Sequence, residues 1–338
     1  MDTLTHLISH SCKINLVSHD CKIKDNLFLI FLIGICYKLA NPVARPSKVK
    51  SRMENYIQFQ EVSKAKYNCL LFDIDDTLYP LSSGLQGHVT RNIQDFMLEK
   101  LGIEAAKVPE LCYQLYKVYG TTMAGLRAIG YDFDYDEFHS IAHGRLQYDL
   151  LKPDPTLRGI LKSLPIRKVI FTNADDVHAA RVLHRLGLED CFDTIISFDT
   201  LNSSNKITPS NDKDDSETRP ISAGIFDFLE YMRHSDSDIV LPSTPIICKP
   251  FEDAFEKVFK IANIDPQRTM FFDDSIRNLL TAKRLGLHTV AVGSSVRALG
   301  VDHALESIHN IKEAFPDLWE AEEKHEITKY NVTIETLA

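Results

Sequence analysis

The sequence predicts an α/β fold: a Rossmann-like parallel sheet with helices on both faces and a helical cap inserted into it. Three observations carry this. Short, wholly apolar runs end abruptly in polar clusters, as at Cys69-Leu70-Leu71-Phe72 before Asp73 and Met270-Phe271-Phe272 before Asp273-Asp274. Amphipathic helical patterns alternate with these runs, the signature of parallel strands joined by crossover helices. One stretch, residues 82–149, interrupts the alternation with helical patterns alone.

In chain order, Cys69–Phe72 reads as a buried strand that opens into a loop at its acidic end. The inserted stretch predicts helices over Val89–Leu101, Pro109–Tyr119, Met123–Ile129 and Phe138–His143. Lys168–Phe171 is the second strand, ending at Thr172-Asn173, and the helix Asp176–Leu186 stops at Gly187, a residue suited to the left-handed turn that closes helices. Thr194–Ser197 is a third strand, before Asp199. Residues 202–244 are rich in Ser, Asn and acidic side chains, with the run Asn211–Glu217, and read as an acidic, mostly disordered insertion carrying one short helix over Ala223–Met232. Pro250 opens a helix with Phe251, Phe255, Val258, Phe259 and Ala262 on one face. Met270–Phe272 is a strand, Ile276–Leu285 a helix closed by Gly286, and Thr289–Val292 a strand ending at Gly293. The expected organisation is an extension over 1–65, a core over 66–81 and 150–315, the cap over 82–149, the insertion over 202–244, and a tail over 316–338.

Of the 338 residues, 44% are hydrophobic and 25% charged, with a formal charge of -9. Such a chain has no basic footprint for a nucleic-acid polymer. Its seven cysteines, scattered without C-x-x-C spacing, indicate neither a disulfide framework nor a zinc site. A reducing, cytoplasmic location follows as an expectation, with the nucleus also open to it. The apolar run Leu27–Tyr37 is shorter than the roughly 18 to 20 residues that span a bilayer, so no membrane partner is expected. Met53 opens a short lead into the first strand, and residues 1–52 are expected to be dispensable for stability.

In open parallel sheets ligands bind beyond the carboxyl ends of the strands, where every polar cluster above falls. Asp73 and Asp75, two apart after a strand, together with Asp273 and Asp274 from another strand end, make a hard-oxygen set suited to Mg²⁺. Thr172 offers a hydroxyl to a phosphate oxygen and Lys249, in Cys248-Lys249-Pro250, a fixed positive charge. A phosphate dianion among carboxylates needs both a divalent cation and an ammonium to approach. Taken singly, each residue is as well explained as a turn or surface group; their joint placement at strand ends favours chemistry. Asp76 is expected to point away from the pocket, and Thr77 to hydrogen-bond within its loop.

The set D-x-D-x-T at Asp73 to Thr77, Thr172 after a strand, Lys249 before Pro250 and Asp273-Asp274 after a strand, in that order, resembles the haloacid dehalogenase (HAD) superfamily over about residues 66–315. Phe72–Tyr79, the cap segment Tyr119–Leu126 and Phe272–Asn278 look like its pyrimidine 5′-nucleotidase branch of fungi and plants. The resemblance implies a HAD core with a cap of the C1 type, and a Mg²⁺-dependent phosphomonoester hydrolase acting through an aspartyl-phosphate on a small phosphorylated metabolite. It makes Asp73 the nucleophile and Asp75 the proton carrier. It has Mg²⁺ held by Asp73, the Asp75 carbonyl and Asp274, with Asp273 assisting, and the phosphoryl oxygens held by Thr172, the backbone around Asn173, and Lys249. Lys249 is also expected to restrain the Asp73 carboxylate. In the cap, Tyr119, Thr121, His143, Arg145 and Tyr148 are candidates to line the substrate side. The alternatives are a sugar-phosphate phosphatase or mutase on the same core, or a phospho-accepting scaffold without turnover.

Overall fold

Four apolar residues, Cys69-Leu70-Leu71-Phe72, form β1 and sit at the centre of the molecule with every side chain buried. The computed structural model describes residues 66–203, 224–233 and 240–319, all within one unit, Ala65–Ala338. The expectations for the N-terminal extension, for the run Asn211–Glu217 and for most of the tail lie outside the described residues. Among the described residues no helix is long and apolar enough to cross a membrane.

Five further strands follow: β2 (Arg167–Phe171), β3 (Thr194–Ile196), β4 (Thr269–Asp273), β5 (His288–Val292) and β6 (His303–Leu305). They form one sheet in the order β3-β2-β1-β4-β5-β6, and every pairing is parallel. The fold is thus the Rossmann-like α/β arrangement that the alternation predicts. β1 pairs with β2 on one side and β4 on the other, so the residues that follow all three strands emerge side by side. β6 escapes the sequence reading because a three-residue edge strand that begins with an exposed His303 has no apolar run to show.

Because side chains alternate across a strand, β1 feeds two separate cores. Leu70 and Phe72 join Ile170, Met270 and Phe272 on one face, and Leu71 joins Val169, Phe171 and Phe271 on the other. The cap lies between β1 and β2 in sequence: α1 (Leu85–Glu99), α2 (Val108–Tyr119), α3 (Thr122–Ala128) and α4 (Tyr135–Ala142). After it come α5 (Pro155–Ser163), α6 (Asp176–Leu186) and α7 (Phe198–Asn202). The last four are α8 (Phe228–Arg233), α9 (Glu252–Ala262), α10 (Ile276–Arg284) and α11 (Ile311–Ala314). Leu157, Leu161, Val182 and Leu183 of α5 and α6 cover the first face. Phe255, Val258, Leu279 and Ala282 of α9 and α10 cover the second. Full burial of such a side chain stabilises by about 1.5–3 kcal/mol.

The cap has its own core, built on Phe96, Leu111, Leu115, Leu126 and Phe138. Some described residues of 202–244 pack against it, while others such as Ile225 and Val240 are exposed. Phe228 packs in that core, Phe226 N donates to Ile129 O at 2.9 Å, and Asn202 holds Ile247 through both main-chain groups, at 2.9 and 3.0 Å. The helix at Pro250 begins two residues later than expected, at Glu252, because Phe251 N closes a turn onto Cys248 O at 3.1 Å. That turn carries Lys249 inward.

Candidate active site

Asp73 N continues the β1 ladder with a 2.9 Å bond to Phe272 O, after which Thr77 N and Leu78 N both donate to Ile74 O and the chain turns. Asp76 takes a left-handed backbone conformation in this turn (φ 56°), one that Asp tolerates better than most residues. The turn breaks the two-residue alternation. Asp73, Asp75 and Asp76 therefore all line one cavity of about 390 Å³, a volume within the range usual for small-molecule sites. Asp76 thus faces the cavity, contrary to expectation, and Thr77 Oγ1 is buried without the hydrogen bond expected of it. One carboxylate oxygen of Asp76 is likewise buried and unpartnered. Burial, then the charge of Asp75, pushes its pKa up to about 6.

Lys249 is 1% exposed. Its ammonium contacts Asp73 Oδ1 at 2.8 Å, donates to Asp273 Oδ2 at 2.8 Å and to Phe171 O at 2.9 Å, and sits over the Phe171 and Phe271 rings. Burial opposes its charge, but Asp273 and then Asp73 outweigh burial and hold the ammonium protonated well beyond the ordinary lysine range. An ammonium has three protons, and all three are committed. Lys249 therefore restrains Asp73, as expected, and acts on any phosphoryl oxygen through its field rather than through a free N–H.

Its position is set by neighbours. The Asn173 side chain accepts from Lys249 N at 2.8 Å and donates to Lys249 O at 3.0 Å. The Asn173 side chain thus serves the lysine's main chain, while Asn173 itself lines the cavity, where its backbone is the part expected to meet phosphate. From the cap, Gly120 (φ 84°) lies so near that an added Cβ would fall 2.2 Å from Lys249 O and 2.5 Å from Pro250 Cδ. The absence of a side chain at Gly120 thus lets the cap approach the Lys249 loop closely. Gly120→Ala should accordingly cost at least about 2 kcal/mol, from the positive φ and the backbone clash together. A thermal melt superimposable on the parent's would count against this contact.

Asp273 is fully buried, with its oxygens taken by Lys249, Ser275 N at 2.8 Å and Asn278 Nδ2 at 3.0 and 3.1 Å. Asp274 instead reaches the cavity. Its flanks are dry enough, and Asp273 and Asp76 near enough, to push it up to about 7. Burial likewise pushes Asp73 well up against the pull of Lys249, and Asp273 and Asp274 add to the rise. Oxygens of Asp73, Asp273 and Asp274 all lie within 4.8 Å of one another. Carboxylates this crowded, facing one already committed ammonium, form a hard-oxygen set short of positive charge, and a Mg²⁺-type ion fits it.

Asp75 has a different environment. Its Oδ1 accepts from Tyr79 Oη at 2.6 Å and pairs with His178 Nε2 at 2.7 Å. Burial alone would raise its pKa; the charge and hydrogen bond of His178, then the bond from Tyr79, outweigh burial and hold the carboxyl well below the usual range. Burial opposes the His178 charge too, and Asp75 raises it. The pair thus stores a proton on the imidazole, whose Nδ1 meets Tyr148 Oη at 2.8 Å.

Thr172 is buried at the end of β2 and lines the cavity. Its hydroxyl oxygen accepts from Ala174 N at 3.0 Å, which leaves the hydroxyl proton for a ligand. Thr121 also lines the cavity and caps α3 by accepting from Ala124 N at 3.0 Å. Tyr119 and Arg145 are not brought to the site. Tyr119 is buried in the cap core with its hydroxyl on Pro242 O at 2.9 Å, and Arg145 is exposed just beyond α4. The cap rings that line the cavity are Tyr113, Tyr116 and Phe138, with the imidazoles of His139 and His143. Arg277 of α10 stacks on Tyr116 at 4.5 Å and donates to Tyr116 O and Lys117 O, at 2.9 and 2.6 Å, tying core to cap at the cavity wall.

No protein-family model matches the chain. Phosphate metabolism protein 8 of Saccharomyces cerevisiae is 32% identical over 132 residues, which are 37% of this chain and 41% of that protein. The match thus spans about two fifths of the curated relative. Solved structures with similarity include HAD-superfamily proteins. A HAD phosphatase from Thermococcus onnurineus shares 17% identity over 73% of this chain and 97% of its own, with a TM-score of 0.43. CbbY from Rhodobacter sphaeroides in complex with phosphate shares 15% over 72% and 96%, with a TM-score of 0.41. L-2-haloacid dehalogenase from Xanthobacter autotrophicus shares 15% over 74% and 98%, with a TM-score of 0.40. The class that fold and site define is a parallel α/β protein with an acidic, lysine-anchored cavity under a helical cap.

Proposed function

We propose that this chain is a Mg²⁺-dependent phosphomonoester hydrolase of the HAD superfamily, acting on a small phosphorylated metabolite, with a pyrimidine nucleoside 5′-monophosphate as the first candidate. The observation that carries the reading is the contact of Lys249 with Asp73, which fixes a carboxylate at the floor of the cavity beside Asp75. The partial match to a relative named for phosphate metabolism agrees with it.

With one oxygen held by Lys249, the other oxygen of Asp73 attacks phosphorus in line, and an aspartyl-phosphate forms as the ester oxygen leaves. Asp75 delivers a proton to that oxygen, drawn from the store on His178, and takes one from the water that hydrolyses the aspartyl-phosphate. Thr172 donates its hydroxyl proton to a phosphoryl oxygen. Asp73, Asp274 and the Asp75 carbonyl would hold Mg²⁺, with Asp273 positioning Lys249 and Asn278; the bound ion would supply charge neutralisation at the phosphoryl group. Tyr113 and Tyr116 offer rings to the leaving group.

A phosphate-release screen over nucleoside monophosphates, sugar phosphates and cofactor precursors, ranked by kcat/KM, tests this. Free phosphate is expected with Mg²⁺ and none with EDTA. Silence across the panel would sink the proposal, and an isomerised sugar phosphate in place of free phosphate would point to a mutase. His178→Asn is expected to lower kcat by about 10²-fold with KM little changed, because it removes the proton store and not a substrate contact. An unchanged kcat would remove His178 from the proton path.

A further inference from the structure

We propose that His139, His143 and Asp175 form a second metal site in the cavity, for a borderline transition ion such as Zn²⁺. His139 and His143 lie four residues apart at the end of α4, so both imidazoles leave the same face. Their rings run nearly parallel, with centroids 5.4 Å apart. Asp175, the N-cap of α6, approaches from the core side. Its Oδ1 lies 2.5 Å from His143 Nδ1 and 3.6 Å from His139 Nδ1, while Oδ2 accepts from His178 N at 3.4 Å. One donor atom from each of the three residues lies within 4.8 Å of the other two.

A separate observation concerns His139 itself. It is only 7% exposed, it lines the cavity, and neither of its ring nitrogens has a hydrogen-bond partner. Buried polar atoms are nearly always paired, and Asp175 Oδ1 stands 3.6 Å from Nδ1, beyond hydrogen-bond reach but near ligand-to-ligand distance. Two ligands on a tetrahedral ion with bonds of about 2.0–2.1 Å stand about 3.3 Å apart, close to the 3.6 Å between His139 and Asp175. The 2.5 Å contact of His143 with Asp175 is instead a hydrogen bond that must open for an ion to enter. Two imidazoles and one carboxylate suit Zn²⁺, Co²⁺ or Ni²⁺, whereas Mg²⁺ prefers all-oxygen sets such as that around Asp73. Three protein ligands leave a fourth position. Since His139 and His143 both line the cavity, that position is open to an oxygen or nitrogen donor of its occupant. The site is independent of the phosphohydrolase reading.

The test uses the full chain with Mg²⁺ in excess, titrated with Co²⁺ and followed by visible absorption, with Zn²⁺ competition by calorimetry. One equivalent of Co²⁺ is expected, displaced by Zn²⁺. His139→Ala and His143→Ala should each weaken binding at least about tenfold, while Asp274→Asn should leave it unchanged. His139→Gln, which keeps a polar group of similar size, serves if the alanine variant misfolds, with circular dichroism as the check on fold. The proposal is overturned if the wild-type chain binds neither ion, if both histidine variants bind as the parent does, or if only Asp274→Asn loses binding.

Discussion

Asp73→Asn is expected to lower phosphate release by about 10⁴-fold or more, on the scale of losses seen when a covalent nucleophile is removed, and to leave the protein folded. The amide is nearly isosteric but has no anionic oxygen to attack with. Stability should hold because Lys249 keeps Asp273 and the Phe171 carbonyl as acceptors. The substitution also relieves crowding, since burial already pushes the Asp73 carboxyl well up. A melting temperature equal to or above that of the parent, beside the lost turnover, is the expected pair of results. Turnover near the parent's with Mg²⁺ present would show that another group attacks phosphorus.

The parts of this site legible in the sequence are those that sit directly on strand ends. Asp73, Thr172 and Asp273-Asp274 each follow a buried apolar run, and in a parallel sheet such positions converge whatever the loops do. Lys249 was legible only through Pro250 and its place in the order, and the saturation of its ammonium was not. The structure adds that Asp273 is committed to Lys249 and Asn278 while Asp274 faces the cavity, a division that two adjacent aspartates cannot disclose by themselves.

The cap was harder for physical reasons. Val108, Leu111, Cys112, Leu115 and Tyr119 form one buried stripe on α2, so helical periodicity places Tyr119 inward and turns Tyr113 and Tyr116 the other way. That signal was present in the spacing. The histidine group had less to show. His178 reaches Asp75 across 103 residues of sequence, and His143 meets Asp175 across 32. The one local trace is the four-residue spacing of His139 and His143, common in helices of no special function. Asp76 joins the cavity lining because a left-handed turn, invisible in composition, breaks the strand alternation.

Replacing Lys249 by methionine is the substitution expected to cost the most stability. Lys249 is the only ammonium in contact with Asp73 and Asp273 among the described residues, and both partners are buried. Removing one member of a buried charge pair costs about 3–5 kcal/mol, because the charge left behind has no compensation. For a protein of this size that is a fall of roughly 10 °C in Tm. Methionine fills the volume of the lysine stem against Phe171 and Phe271, and the Asn173 bonds to the main chain at 249 do not involve the side chain, so the loss reports on charge rather than on packing or loop geometry. Two further measurements separate these causes. Adding Asp273→Asn to the methionine variant should recover part of the lost Tm, since it removes one stranded carboxylate. Mg²⁺ should raise the Tm of the methionine variant by more than that of the parent, because a divalent cation then has to neutralise Asp73 alone. If Lys249→Met melts with the parent and responds to Mg²⁺ no more strongly, Asp73 and Asp273 do not depend on the ammonium, and the electrostatic account of this site fails.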